Sequence, residues 1–263
     1  MNSLYLLGTG DGITDPERNH SAYLYCCGET ALQIDCGEPA ARGFKASGLS
    51  FDQLDALILS HLHSDHIGGL FMLIQTLWLE KRRRELTVYA PEDGIEPLRQ
   101  MLRAAYLFDE AVGFPLRFVP IAAEHAIRVS SMTVTPYLTT HLDRTRERHQ
   151  AKYPSRYEAY CFLIENEAGY RIGHSADLGA PSDLAPLLAK GLDLLVCELS
   201  HFTPDALFQA LRGASVQRVL LTHVGRDWLR EPEALLKKAR AALPKMEVEL
   251  ARDGMQVPLR CRQ

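Results

Sequence analysis

No stretch of the 263 residues is apolar for the twenty or so positions that a membrane-crossing helix needs. The opening, Met1-Asn-Ser-Leu-Tyr-Leu-Leu7, reads as a strand. It has no basic n-region, long apolar h-region or cleavage site, so no secretory leader is expected. An excess of positive charge is also missing. The formal net charge is -4, so attraction to a polyanion has to be local rather than global. The six cysteines (Cys26, Cys27, Cys36, Cys161, Cys197 and Cys261) include no Cys-x-x-Cys pair. Most sit in apolar, strand-like surroundings where a reduced cysteine acts as a small hydrophobe, and the expected compartment is the cytoplasm. There is no internal repeat, low-complexity tract or flexible linker, and 46% hydrophobic residues can bury a large core. A single domain over residues 1–263 is expected, with no membrane partner.

What the chain does have is a concentration of histidine. Ser60-His61-Leu62-His63-Ser64-Asp65-His66 follows the apolar run Leu54-Asp-Ala-Leu-Ile-Leu59 and precedes a stretch, Gly68 to Lys81, with apolar residues at helical spacing. The cluster is therefore expected on a strand-to-helix loop. On a sharp turn His61 and His63 can aim at one point, and Asp65 and His66 at a neighbouring one. Imidazole and carboxylate suit zinc best, with manganese or iron as alternatives, and the lack of thiolates argues against a purely structural zinc knuckle.

The pattern His-x-His-x-Asp-His resembles the signature of the metallo-β-lactamase superfamily. That resemblance implies further ligands at the ends of later strands, and His141, Asp177 and His223 each follow a strand-like segment. By the same resemblance, His61, His63 and His141 would hold one metal, and Asp65, His66 and His223 a second. Asp177 would bridge the two. A hydroxide between the metals would be the nucleophile, with Asp65 orienting it or taking its proton. The implied fold class is α/β (α+β), a four-layer αββα sandwich of two mixed β-sheets flanked by helices; periodicity alone supports only α/β.

Within the superfamily, Leu7-Gly-Thr-Gly10 with Arg18-Asn19, Gln33-Ile-Asp-Cys-Gly-Glu38, and Gly48 through His63 closely resemble the RNase Z branch, the tRNA 3′-processing endonucleases. His201 lies 22 positions before His223, a spacing similar to that branch's non-ligand active-site histidine. Glu198 could pair with His201 and favour its protonated form, making it the acid for the leaving group. The competing reading is that Glu198 and His201 only cap the helix beginning near Pro204. Asp35 ends a strand and is placed to accept a hydrogen bond from a metal-bound histidine, or to act as an ordinary turn or capping residue. Arg226, just after Thr222-His223-Val-Gly, is a candidate phosphate contact.

The chain departs from RNase Z in one respect. That branch carries a long glycine- and proline-rich arm for gripping tRNA, and no stretch here has such a composition. From His141 to Asp177 there are only 36 positions. Much of that interval, Leu142 to Tyr157, reads as a polar, turn-prone loop carrying Arg144, Arg146, Arg148, Lys152 and Arg156. Either it lines the substrate entrance, with Arg144, Arg146 and Arg148 as anion contacts, or it is a solvated surface loop. A second basic cluster, Lys81-Arg-Arg-Arg84, is read as cations complementing a helix C-terminus rather than as an RNA-binding patch. The expected activity is a dinuclear metal-dependent phosphodiesterase acting on a small anionic phosphodiester or cyclic nucleotide, with RNA as a less favoured partner. The alternatives are an acyl hydrolase on the same metal pair and a non-hydrolytic member of the fold. Nothing in the sequence opposes a homodimer.

Overall fold

The computed structural model describes residues 2–259; Met1 and Cys261 lie outside them. Six strands open the chain: β1 (Ser3–Gly8), β2 (Ala22–Cys27), β3 (Thr30–Ile34), β4 (Leu54–Ile58), β5 (Leu86–Ala90) and β6 (Leu116–Pro120). Seven more follow: β7 (Ile127–Val129), β8 (Met132–Leu138), β9 (Tyr160–Asn166), β10 (Arg171–His174), β11 (Leu192–Leu199), β12 (Val216–Val224) and β13 (Glu247–Leu250). The last strand, β14 (Gln256–Pro258), returns to pair with β1. The strands form two seven-stranded sheets, in the orders β14-β1-β2-β3-β4-β5-β6 and β13-β12-β11-β10-β9-β8-β7. Two mixed sheets flanked by helices are the fold class that the ligand motif implied.

The described chain forms two compact units, residues 2–122 with 128–132 and 252–259, and residues 123–127 with 133–251. In the first, β1 to β3 pair antiparallel, whereas β3, β4, β5 and β6 run parallel. Parallel neighbours require crossover connections, and helices Ala40–Ala46, Leu70–Leu79 and Glu92–Ala104 supply them. Their apolar faces pack on Leu24, Leu57, Leu59 and Val88 through Phe44, Leu73, Leu77, Leu98 and Leu102. In the second unit β10, β11, β12 and β13 are parallel. Helices Pro204–Leu211 and Pro232–Ala242 bury Leu207, Phe208, Leu235 and Ala239 against Leu195, Cys197, Val219 and Leu221. Parallel pairing puts the C-terminal ends of successive strands at one edge of a sheet, and this positions the chemistry in each unit.

Ser50 caps a short 3₁₀ turn, Phe51–Gln53, in a capping box with Gln53. Two local expectations change. Asp65 and His66 do not lie on an open loop but on a helical turn, Ser64–Ile67. The stretch 142–157 contains a helix, Asp143–His149, rather than a loop throughout. That helix buries no residue, so there was no apolar periodicity to announce it. Asp143 in its first turn pairs with Arg146 at 2.9 Å, and its last turn is basic, which suits the helix dipole.

The cluster Lys81–Arg84 is also corrected, because it lies past the helix's last turn rather than in it. The helix stops at Leu79. Arg82 then turns inward, 1% exposed, and its guanidinium donates to the carbonyls of Phe51, Leu54, Arg84 and Glu85 at 2.6–2.8 Å. Burial pulls Arg82 down to about 10, so it keeps its charge at neutral pH. Arg84 pairs with Asp55 at 2.6 Å.

Candidate metal centre

In the first unit the site grows from the parallel pair β3 and β4. Register pairs Ile34 with Ile58, and the Asp35 amide donates to the Ile58 carbonyl at 2.8 Å. The two strands therefore end side by side, and Asp35 meets Ser60 although 25 positions separate them. Asp35 is fully buried, with φ at 60°. That left-handed conformation is costly for most side chains, and Asp tolerates it better than most. Its Oδ1 accepts from the Ser60 amide at 2.7 Å, and its Oδ2 from the Ser60 hydroxyl at 2.9 Å and from His66 Nδ1 at 2.7 Å.

These bonds set the tautomers of two histidines. A carboxylate only accepts, so His66 Nδ1 carries its proton and Nε2 offers a lone pair. The Ser60 hydroxyl, having given its hydrogen to Asp35, accepts from His61 Nδ1 at 3.0 Å, which leaves His61 Nε2 likewise basic. The imidazoles converge, with His61 lying 4.7 Å from His63 and 4.1 Å from His66 between ring centroids. Asp65 Oδ2 stands 3.5 Å from His66 Nε2. The turn is held against the end of β3 by the Cys36 amide to the His66 carbonyl at 2.7 Å and the Gly69 amide to the Cys36 carbonyl at 2.8 Å. Close approach is also why position 37 is glycine: a Cβ there would lie 2.2 Å from the Asp65 carbonyl oxygen.

In the second unit the ends of β10, β11 and β12 carry Asp177, Glu198 and His223. Pairing slips between Glu198 and Leu199, so that Glu198 faces Thr222 and Leu199 faces Val224. His223 is the extra residue, with φ at 47°. The bulge turns its ring out of the ladder, as bulges beside sites commonly do. Ala176, just before Asp177, is also left-handed, with φ at 45°. Asp177 Oδ2 is 3.6 Å from His141 Nε2 and 3.9 Å from His201 Nε2, while its Oδ1 is 3.5 Å from His223 Nε2. Asp177, Glu198 and His201 offer ligand atoms within 4.8 Å of one another.

Those separations test whether a metal fits. Hydrogen bonds between nitrogen and oxygen run to about 3.2 Å, whereas two ligands of one tetrahedral ion, each about 2.0–2.1 Å from it, sit about 3.4 Å apart. The 3.5 and 3.6 Å pairs in both units match that tetrahedral edge. The donors are imidazole nitrogens and carboxylate oxygens, the set that divalent zinc, manganese or iron accepts. These clusters of His and Asp suit a divalent metal.

Glu198 is buried and engages both oxygens. Oε1 accepts from His201 Nδ1 and from the Leu178 amide, each at 2.8 Å, and Oε2 from the Ser200 and His201 amides at 2.8 and 3.2 Å. His201 thus carries its proton on Nδ1, is partly exposed, and turns Nε2 towards Asp177. The helix at Pro204 is capped by Thr203, so Glu198 and His201 do not cap it. Among the arginines, Arg226 opens the short helix Arg226–Leu229; Arg146 is engaged by Asp143, and its neighbours Arg144 and Arg148 lie on the same helix, which buries none of its residues.

Sequence reasoning missed several residues here. Ser60, beside His61, was open to recognition from its position alone. Asp253 had no signal: it accepts from the Thr9 amide and hydroxyl at 2.9 and 2.7 Å and from the Asn19 amide. It thereby closes the glycine-rich loop between β1 and β2 from 234 or more positions away.

The sequence pattern of one family, Anti-Pycsar protein Apyc1, matches residues 2–229. The chain belongs to that family. It is also similar to the Ribonuclease Z of Archaeoglobus fulgidus, 24% identical over 89% of this chain and 90% of the relative, and to that of Methanopyrus kandleri, 29% identical over 97% and 96%. Among solved structures, the metallo-β-lactamase fold protein YhfI from Bacillus subtilis superposes with a TM-score of 0.76 at 20% identity, covering 97% of each chain. The resemblance read from the ligand motif is borne out. This Apyc1-family chain is a metal-dependent hydrolase with the metallo-β-lactamase fold, in its RNase Z-like branch.

Proposed function

We propose that the protein is a phosphodiesterase with a dinuclear centre, acting on a small anionic phosphodiester or cyclic nucleotide. The observation that carries the reading is the division of Asp177, whose one oxygen faces His141 and whose other faces His223. A carboxylate so divided is suited to bridge two ions. In this reading His61, His63 and His141 hold one metal, Asp65, His66 and His223 the other, and residues 1–263 work as one domain. Zinc fits the donors best. When bound, such a pair supplies Lewis acidity and lowers the pKa of a water.

The rest belongs to the chain. Asp35 and Ser60 fix the basic nitrogens of His66 and His61. Asp65 is the carboxylate that orients the attacking water or takes its proton. His201, held through Nδ1 by buried Glu198, presents Nε2 to give a proton to the departing oxygen, a role worth roughly 10²–10⁴-fold. Arg226, Arg144, Arg146 and Arg148 attract the substrate's charge. A small substrate is favoured over tRNA because no glycine- and proline-rich arm is present in the sequence. The family name, Anti-Pycsar protein, is consistent with a target other than tRNA. Cytoplasmic placement goes with this reading: Cys26, Cys27, Cys36, Cys161 and Cys197 are all unbridged, and no helix among the described residues is long and apolar enough to cross a membrane.

The test combines elemental analysis of protein purified without added metal with turnover of bis-p-nitrophenyl phosphate, a cyclic nucleotide, a lactone panel and precursor tRNA. Two metals per chain with turnover of the first two substrates is the expected result. Lactone turnover with inert phosphodiesters would replace the reading by acyl hydrolysis, and efficient tRNA cleavage would refute the small-substrate assignment.

A further inference from the structure

His141 and Asp177 leave their sheet from β8 and β10, with β9 between them. No backbone ladder joins these two strands directly, yet the ligand atoms must be held to a fraction of an ångström. Asp183 lies in the 3₁₀ turn Pro181–Leu184, beyond Asp177. Its Oδ2 accepts from the Gly179 amide at 2.9 Å and the Ala180 amide at 3.3 Å on its own loop. The same oxygen accepts from the Thr140 amide at 3.0 Å on the other loop, one residue before His141. The Thr140 hydroxyl lies 3.0 and 3.1 Å from the two oxygens. The two loops touch as well as share this carboxylate. A Cβ on Gly179 would stand 2.2 Å from the Thr140 hydroxyl oxygen and 2.5 Å from its carbonyl carbon.

We infer that Asp183 is a positioning residue, a clasp that sets His141 against Asp177 and so tunes the affinity of the one metal that His141 serves. This inference rests on the dinuclear reading above. Three backbone amides and a hydroxyl converge on one carboxylate, and hydrogen bonds to a charged acceptor are the strong kind. Asp177 has an anchor of its own, because the neighbouring Leu178 amide donates to Glu198; the Thr139 hydroxyl, which donates to the Asp177 carbonyl at 3.0 Å, is a second tie between the same two loops. Release of the clasp therefore frees the Thr140–His141 segment more than Asp177. His223, on the bulge of β12, is untouched. An outer residue that orients a ligand typically contributes 10–100-fold in metal affinity.

Asp183→Asn keeps the size of the side chain but turns an amide group towards donors. Gly179→Ala keeps Asp183 and pries the two loops apart. Zinc titration of the metal-free protein against a chelating dye would give stoichiometry and two affinities for wild type and each variant. The expected result is two sites in wild type and, in both variants, one site weakened about 10–100-fold with the other within about threefold. A merely structural role would loosen both sites together or lower only the melting temperature of the metal-free protein. Equal weakening of both sites, or unchanged affinities in a folded variant, overturns the clasp. Fewer than two metals in wild type overturns the dinuclear reading instead. Should Asp183→Asn fail to fold, Gly179→Ala carries the same comparison.

Discussion

Asp35→Asn isolates a single physical effect. Asparagine has nearly the same volume and, like aspartate, tolerates the left-handed backbone found at position 35, so neither packing nor φ is disturbed. The change falls on three donors: the Ser60 amide on Oδ1, and the Ser60 hydroxyl and His66 Nδ1 on Oδ2. The carbonyl oxygen of the introduced amide can serve one side, and its NH₂ then confronts the donors on the other. If that oxygen keeps the Ser60 amide, the NH₂ group meets both the Ser60 hydroxyl and His66 Nδ1. The imidazole must then move its proton to Nε2, the atom that would face the metal, or rotate away. A correctly held tautomer is worth about 10–100-fold in metal affinity, or roughly 1.4–2.8 kcal/mol. The site is fully buried, so water cannot replace the lost acceptor. Each hydrogen bond to the charged oxygen contributes about 1.5–3 kcal/mol. Losing one or two, about 1.5–6 kcal/mol, should lower the melting temperature of the metal-free protein by roughly 3–24 °C at about 2–4 °C per kcal/mol. Dye competition for zinc and differential scanning calorimetry would measure the two effects separately. Zinc affinity within twofold of wild type in folded Asp35→Asn would refute the argument that this carboxylate sets the His66 tautomer.

The same geometry carries four further expected outcomes. Arg82→Met should destabilise the fold by about 3–5 kcal/mol in urea titrations, because four backbone carbonyls lose a buried cationic donor, while activity per folded molecule stays unchanged. His201→Ala should keep its metals and lose about 10²–10⁴-fold in rate, and less on nitrophenyl esters, whose leaving group needs no proton; an equal loss on good and poor leaving groups would point to binding instead. Replacing Arg144, Arg146 and Arg148 by Ser should raise KM for an anionic phosphodiester at low salt, an effect that fades by about 0.1 M salt; a triple variant equal to wild type at low salt would make that helix mere surface. Burial pushes the Cys26 and Cys161 thiols from 9.0 up to about 12, so between pH 9 and 12 the unfolded chain binds fewer protons than the folded one. The contribution of these thiols to stability is therefore complete below about pH 9 and is lost as pH rises to about 12, and Cys26 and Cys161 of the native protein should resist iodoacetamide at about pH 8 until the chain is unfolded.

How much of this was legible in the sequence depended on whether the cause was local. The turn at His61–His66 announced itself because four metal-capable side chains within six positions seldom gather except around an ion. The capping box of Ser50 and Gln53 is just as local, complete within four residues. The helix Asp143–His149 was not, because it buries nothing and leaves no periodic trace. Arg82 was misread because its neighbours Lys81, Arg83 and Arg84 are exposed and give the stretch the look of a solvated basic run, whereas the guanidinium is taken up by carbonyls up to 31 positions away.

The least legible residues are the ones that hold the loops still. Asp253 reaches Thr9 and Asn19, and Asp183 reaches Thr140, across 244, 234 and 43 positions. A single aspartate in a turn looks the same in sequence whether it faces water or gathers three amides. Ligands are constrained in residue type, since only a few side chains bind a metal, and so they form motifs. Clasps are constrained in place alone, since any acceptor at the right point will do. In the parallel half of each sheet the strand ends bring Asp35, Asp177, Glu198 and His223 to the edge, and positive φ at 35, 176 and 223 turns the chain there. The pattern of ligands therefore follows from chemistry that a sequence displays. The fraction of an ångström that separates a tight site from a loose one is set by residues that only the folded chain brings together.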